Sequence, residues 1–140
     1  MHVHQMIAAH PNGAGLSEGL DEDVLIRAIE ACYDCAQACT ACADACLAER
    51  AVGDLVQCIR LDLDCADICR AAGAVASRRT GGDARMAGRM LETCAEACRA
   101  CAAECARHAR MEHCAVCAGA CRRCAQLCRG AAEGLAATLQ

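Results

Sequence analysis

The cysteines of this 140-residue chain recur every three or four positions, and there are seventeen of them. Three segments carry the spacing in full: residues 32–46, 94–105 and 114–128. Alternating steps of three and four place side chains on one face of an α-helix, at the positions where leucine and isoleucine normally stand. The pattern therefore predicts amphipathic helices whose shared face is lined with sulfur.

The chain is predicted to divide into an N-terminal leader, residues 1–20, and a helical domain, residues 21–140. The leader contains the sole proline and several glycines. Within the domain, Gly53-Asp54 supplies a helix stop followed by an N-cap, and Gly81-Gly82 marks a turn. We expect four helices, over about residues 21–51, 54–79, 84–108 and 112–138. The fold class is all-α.

The separation of the third helix from the fourth depends on the cysteine register. Cys105 and Cys114 lie nine residues apart, which on one continuous helix would rotate them by about 180° relative to each other. A chain reversal over residues 107–113 allows both to face one axis. Four helices with short links then form an antiparallel up-down-up-down four-helix bundle with a cysteine-lined core.

Every cysteine is a candidate metal ligand, because this packing gathers the sulfur atoms along the bundle axis. The candidates are Cys32, Cys35, Cys39, Cys42, Cys46, Cys58, Cys65, Cys69, Cys94, Cys98, Cys101, Cys105, Cys114, Cys117, Cys121, Cys124 and Cys128. Other donors stand in the same register: Asp62 in the second helix and His108 at the end of the third. With Met111 and His113 in the adjoining turn, they are predicted to line a mouth through which ions reach the core. A core-edge histidine paired with Asp62 is the alternative for His108.

A disulfide framework is the competing interpretation of so much cysteine, and three observations weigh against it. The count is odd, the spacing is helical, and residues 1–15 lack the basic and apolar regions of a secretory signal. We therefore expect free thiols in the cytoplasm. The net charge of −4 argues against a nucleic-acid partner. No apolar stretch approaches the roughly 20 residues that span a bilayer, so no membrane partner is expected.

Paired thiols on a helix favour a soft univalent ion. Two sulfurs one turn apart can bridge Cu(I), which cysteine and methionine sulfur select. Zinc prefers closed tetrahedral sites of four ligands, and iron–sulfur clusters prefer loop-borne cysteines. Neutral thiols pack as small hydrophobes, so the bundle is expected to fold without metal and to release protons on metal uptake. Bridging thiolates would hold about one Cu(I), or slightly more, per sulfur.

The chain resembles the cytosolic branch of the bacterial copper storage proteins. The resemblance covers residues 21–138 and rests on CxxC-xxx-CxxC-xxx-C stripes in the first and fourth helices, CxxxC-xx-CxxxC in the third, and CxxxC at residues 65–69. It implies a four-helix bundle that assembles as a tetramer, holds many Cu(I) ions along its interior and performs no catalysis. A His- and Asp-lined mouth is similar to what such proteins carry. The implied partners are copper ions and a copper chaperone.

Two other functions stay open from the residues alone. One is a metallothionein-like buffer for Zn(II) or Cd(II). The other is a thiol-based redox enzyme or sensor, which would require an accessible cysteine of low pKa beside a cationic group or a helix N-terminus.

Several side chains outside the cysteine face carry secondary expectations. The leader is either a weak, flexible copper-capturing segment or a disordered or docking tail; its possible donors are His2, His4, Met6 and His10. A second apolar stripe on the second helix should be covered by another subunit or by the leader; it consists of Val52, Val56, Ile59 and Leu63. Two methionines are expected to fill the core: Met86 and Met90. Four glutamates are expected on solvated faces, paired with arginines: Glu92, Glu96, Glu104 and Glu112.

Overall fold

The computed structural model describes residues 1–12 and 21–139, and within this part all regular structure is helical. The helices are α1 (Val3–Ala8), α2 (Glu22–Leu47), α3 (Val56–Ser77), α4 (Ala84–Ala106) and α5 (Glu112–Thr138), with a 3₁₀ helix over Val52–Leu55. Helix α2 packs on α3 and α5, and α4 packs on the same two helices. This arrangement confirms the all-α, antiparallel four-helix bundle. None of the described helices is both long and apolar enough to cross a membrane.

Local signals define the starts of two long helices. The Asp21 side chain accepts the backbone N–H of Asp23 at the start of α2, at 3.0 Å. The Asp83 side chain accepts two backbone N–H groups at the start of α4. These contacts satisfy donors that have no partner within a helix. Residues 107–111 separate α4 from α5, so the chain reversal predicted from the cysteine register is confirmed.

The link between α2 and α3 differs from the prediction. Helix α2 ends at Leu47, earlier than expected, and Asp54 is not an N-cap but lies inside the 3₁₀ helix, where its N–H bonds the Ala51 carbonyl at 2.9 Å. Helix α3 begins at Val56 without a side-chain cap. The reason is burial: Leu55 is completely buried. The extra turn thus places an apolar side chain against the end of the core.

The interior consists of a sulfur column and an apolar plug. All seventeen cysteines are buried. Where α2 and α4 begin, the core is instead filled by fully buried aliphatic side chains, namely Leu25, Ile29, Leu91 and Leu135. Each such burial contributes about 1.5–3 kcal/mol, so this plug supplies apolar contacts that small cysteine and alanine side chains cannot. Met90 packs against the core, but Met86 is exposed, and the prediction that it fills the core is wrong.

The described part of the leader, residues 1–12, docks beside the plugged end of the bundle. Helix α1 buries Ile7, and His10 Nε2 lies 3.2 Å from Thr80 Oγ1 in the turn before α4. Leader residues, including Ile7 and His10, line a cavity of about 420 Å³ together with Tyr33 of α2. Residues 13–20 lie outside the described part, so the predicted domain boundary at residue 20 stays a prediction.

The apolar stripe on α3 is not covered by the described part of the leader. Val56 and Leu63 are exposed, Val52 is partly exposed, and Ile59 packs against the core of its own chain. The described leader residues instead lie near α2 and the turn before α4. A second subunit therefore stays a predicted cover for this stripe.

Candidate metal centre

Sulfur atoms from all four long helices meet along the bundle axis. The Cys32 and Cys128 sulfurs, on α2 and α5, are 3.4 Å apart. Those of Cys69 and Cys94, on α3 and α4, are 3.5 Å apart. This proximity follows from the sequence, because steps of three and four keep every cysteine on the inward face of its helix. The arrangement is a thiol column, formed by the seventeen cysteines.

Neighbouring groups of four thiols share members. Cys35 and Cys65 belong to one group with Cys39 and Cys121, and to another with Cys69 and Cys98; within each group the sulfurs lie within 4.8 Å of one another. The column therefore contains overlapping sets rather than separate tetrahedra. An ion bound to one set would share sulfurs with its neighbours, as bridging thiolates do.

Burial opposes the ionisation of thiols in the column. Burial, followed by the proximity of Cys114, raises the pKa of Cys46 to about 11. Burial and then the Asp62 carboxyl raise the pKa of Cys58. The physical cause is general, since a thiolate loses its hydration in the interior and repels the next thiolate. Ionising the column requires cations that enter it.

Asp62 is the one carboxyl within the column and is completely buried. Its Oδ1 accepts hydrogen bonds from the thiols of Cys101, Cys117 and Cys105, at 3.1, 3.3 and 3.4 Å. Its Oδ2 has no hydrogen-bond partner among the described residues. Burial, and then the hydrogen bond with Cys101, raises the pKa of Asp62 to about 9. At neutral pH the side chain is therefore a neutral acid, and its Oδ2 becomes available to a metal ion only when the proton leaves.

The predicted mouth residues lie at the end of the bundle opposite the plug. His113 reaches the column directly: its Nδ1 is 3.4 Å from the Cys42 sulfur and 3.6 Å from the Cys114 sulfur. Its Nε2 is buried and has no partner among the described residues. Met111 is half-buried and packs against the core. His113 thus completes a four-residue donor group with Cys42, Cys46 and Cys114.

His108 is partly buried but does not pair with Asp62, so that alternative is wrong. Its Nε2 lies 2.8 Å from Glu104 Oε2. Glu104 was expected on a solvated face; it is buried, although it does pair with Arg107 as expected for an intrahelical ion pair. The spacing of four between Glu104 and His108 was a usable signal. What the sequence did not reveal is that tertiary packing would bury the Glu104 side chain.

We expect Asp62→Asn to stabilise the reduced, metal-free protein at neutral pH. The folded state holds the Asp62 proton more tightly than the unfolded state. The contribution of Asp62 to the free energy of unfolding is therefore most favourable below the usual pKa of 3.8, and it falls as pH rises toward about 9. Asparagine does not titrate. In urea unfolding, the free energy of unfolding of the variant minus that of the wild-type protein should be about 2–4 kcal/mol larger at pH 7.5 than at pH 4.

The matched control is Asp64→Asn, which changes a carboxylate on the same helix that is 53% exposed. It should behave like the wild-type protein at both pH values. An Asp62→Asn gain that is equal at pH 4 and pH 7.5 would contradict a buried, protonated carboxyl.

Comparison with known proteins gives consistent matches over most of the chain. Residues 21–133 match the sequence model of the copper storage protein family. The uncharacterized cysteine-rich protein YhjQ of Bacillus subtilis (strain 168) is 43% identical over 104 residues, which cover 74% of this chain and 92% of that protein.

Two solved structures from Streptomyces lividans share the fold. The copper storage protein Ccsp, loaded with 10 copper equivalents, superposes with a TM-score of 0.88 at 53% identity, covering 94% of this chain and 98% of that chain. A structure describing copper loading to a cytosolic copper storage protein, with five coppers, superposes with a TM-score of 0.77 at 57% identity, covering 79% of this chain and 93% of that chain. With its sequence pattern, its bundle and its thiol column in agreement, this chain belongs to the copper storage protein family.

Proposed function

We propose that the protein stores many Cu(I) ions as thiolate complexes inside its bundle. The observation that carries this proposal is the continuous thiol column, in which neighbouring sulfurs lie 3.4–4.0 Å apart and share partners. The proposed ligands are the seventeen cysteines, with Asp62, His108, Met111 and His113 as additional donors. Their role is to hold and pass on cargo, so the protein performs no catalysis.

Charge balance favours Cu(I) over Zn(II) or Cd(II). One Cu(I) per thiolate leaves a neutral interior, whereas a separate divalent ion held by four thiolates leaves two net negative charges. Buried net charge costs several kcal/mol per ion, and the overlapping groups of four cannot all be filled at once by separate tetrahedral sites. Relatives from Streptomyces lividans are described as loaded with copper. A Zn(II) or Cd(II) buffer is therefore the less favoured function.

Copper uptake is a ligand exchange in which the metal stays univalent. Each thiol loses its proton as a sulfur–copper bond forms, and the proton leaves with the solvent. We propose that ions pass through the mouth at the α4–α5 turn, because the opposite end is closed by the apolar plug. His113 supports this route, since its Nδ1 already contacts two sulfurs of the column.

We further propose that the protein works in the cytoplasm and receives copper from, or gives it to, a copper chaperone. The free state of all seventeen thiols suits a reducing compartment, and one similar protein is described as cytosolic. A redox function is disfavoured because none of the seventeen cysteines is exposed.

Anaerobic titration with Cu(I) in the presence of a competing chelator should fill the protein to about one ion per cysteine or slightly more. The reason is that adjacent thiolates bridge ions instead of forming separate sites. Copper per chain, measured by elemental analysis after desalting, checks the result. Removing two mid-column thiols with Cys98→Ala/Cys121→Ala should lower the plateau by a few ions.

The matching zinc titration separates the two metal-storage functions. Zn(II) should bind without reaching a comparable plateau at the same chelator competition. A plateau of only one or two copper ions per chain, or a zinc plateau as high as that of copper, would contradict Cu(I) storage.

A homotetramer is the proposed assembly, with the exposed stripe on α3 as one contact between subunits. Val56→Glu/Leu63→Glu places two charges on this stripe, so it should lower the solution mass measured by light scattering. Val116→Glu, at an exposed apolar position on α5, is the control and should leave the mass unchanged. An unchanged mass in the double variant would show that the stripe is not a contact between subunits.

A further inference from the structure

Glu104 occupies an unusual place for a carboxylate. It lies in the last turn of α4, where a negative charge opposes the helix dipole, and its side chain is only 10% exposed. Its two oxygens have different partners: Oε2 lies 2.8 Å from His108 Nε2, and Oε1 lies 3.1 Å from Arg107 Nη1. Arg107 is 73% exposed, so water screens that pair. The shielded contact is the one with His108, whose side chain is 17% exposed.

This contact determines which nitrogen of His108 is available. An ionised carboxylate only accepts hydrogen bonds, so His108 Nε2 carries the hydrogen and donates it to Glu104. In the neutral ring the lone pair then resides on Nδ1. His113 shows the complementary arrangement, because its Nδ1 contacts two sulfurs while its Nε2 has no partner among the described residues. Both mouth histidines can thus present Nδ1 to an ion, but only His108 is held by a carboxylate.

We propose that Glu104 is a positioning residue for copper capture, which holds the His108 ring so that Nδ1 is free to bind incoming Cu(I). This inference rests on the proposed storage function. Ligating histidines commonly donate their second ring N–H to a carboxylate, which orients the ring and makes it a stronger donor. The negative charge of Glu104 also offsets the positive charge that the ring acquires with bound Cu(I).

The step involves no redox change and no proton at His108. Cu(I) leaves the ligand that delivers it and forms a bond with Nδ1 of the neutral ring. Transfer inward then exchanges that bond for bonds to thiols of the column, each of which releases its proton to the solvent as it binds. Glu104 makes no contact with the metal in this scheme and acts only through His108.

The rate of copper transfer tests this role. Apo-protein is mixed with a coloured Cu(I)–chelator complex in a stopped-flow instrument, and the first equivalents are followed. Glu104→Ala should slow this phase about 10-fold, with an unchanged final capacity. Glu104→Gln, whose amide oxygen still accepts the Nε2–H, should recover most of the rate. The double variant Glu104→Ala/His108→Ala should be no slower than His108→Ala alone.

Glu112→Ala controls for the loss of a negative charge, because Glu112 is an exposed carboxylate near the same end. It should transfer copper at the wild-type rate. Additive losses in the double variant, or a Glu104→Ala rate equal to wild type, would overturn the role of Glu104 while leaving storage intact. A wild-type protein that takes up no copper would instead overturn the proposed function itself.

A measurement on the wild-type protein keeps the inference testable if Glu104→Ala fails to fold. The ¹⁵N chemical shifts of the His108 ring, assigned by comparison with His108→Ala, report which nitrogen carries the hydrogen. They should show a protonated Nε2 and an unprotonated Nδ1 in the apo-protein, with Nδ1 shifting at the first copper equivalents. A shift at Nε2, or no shift at His108, would overturn the proposal.

Discussion

The energetic cost of charge in a buried interior constrains every part of this structure. Seventeen thiols lie in the core, and the bundle folds around them because neutral thiols pack as small apolar groups. The same burial holds the pKa of Cys46 at about 11 and that of Asp62 at about 9. A cation that enters the column offsets this cost when a thiol loses its proton. A univalent soft ion makes that exchange without changing the charge of the interior. The same thiols can therefore pack in the apo-protein and bind copper in the loaded protein.

The two ends of the bundle differ in the side chains that they carry. At one end, aliphatic side chains such as Leu25 and Leu135 fill the core and close it. At the other end, histidine and methionine surround the top of the column, and Glu104 holds His108 through a 2.8 Å contact. Because the other end is closed, the α4–α5 turn is the proposed route for copper. This asymmetry also separates the residues that stabilise the fold from those proposed to handle the metal.

The sequence predicted what depends on helical periodicity. Steps of three and four identified the long helices and the common face of the cysteines, and the nine-residue step from Cys105 to Cys114 located the reversal between α4 and α5. Asp62 was found because it replaces a cysteine in register. Features that depend on tertiary packing were missed: the 3₁₀ helix that buries Leu55, the position near Tyr33 at which the described part of the leader docks, and the burial of Glu104. Each of these is decided by a neighbouring element that is distant in sequence, which local spacing does not encode.

In the proposed function, copper replaces thiol protons along one continuous column. The most direct measurement is the number of protons released per Cu(I) bound, obtained by titrating the reduced apo-protein in weakly buffered solution near pH 7.5, under conditions where the copper donor releases no protons itself. About one proton per copper is expected over most of the loading curve, because each neutral thiol must ionise to bind. Release close to zero would mean that copper binds elsewhere, or to thiols already ionised, and would contradict the account.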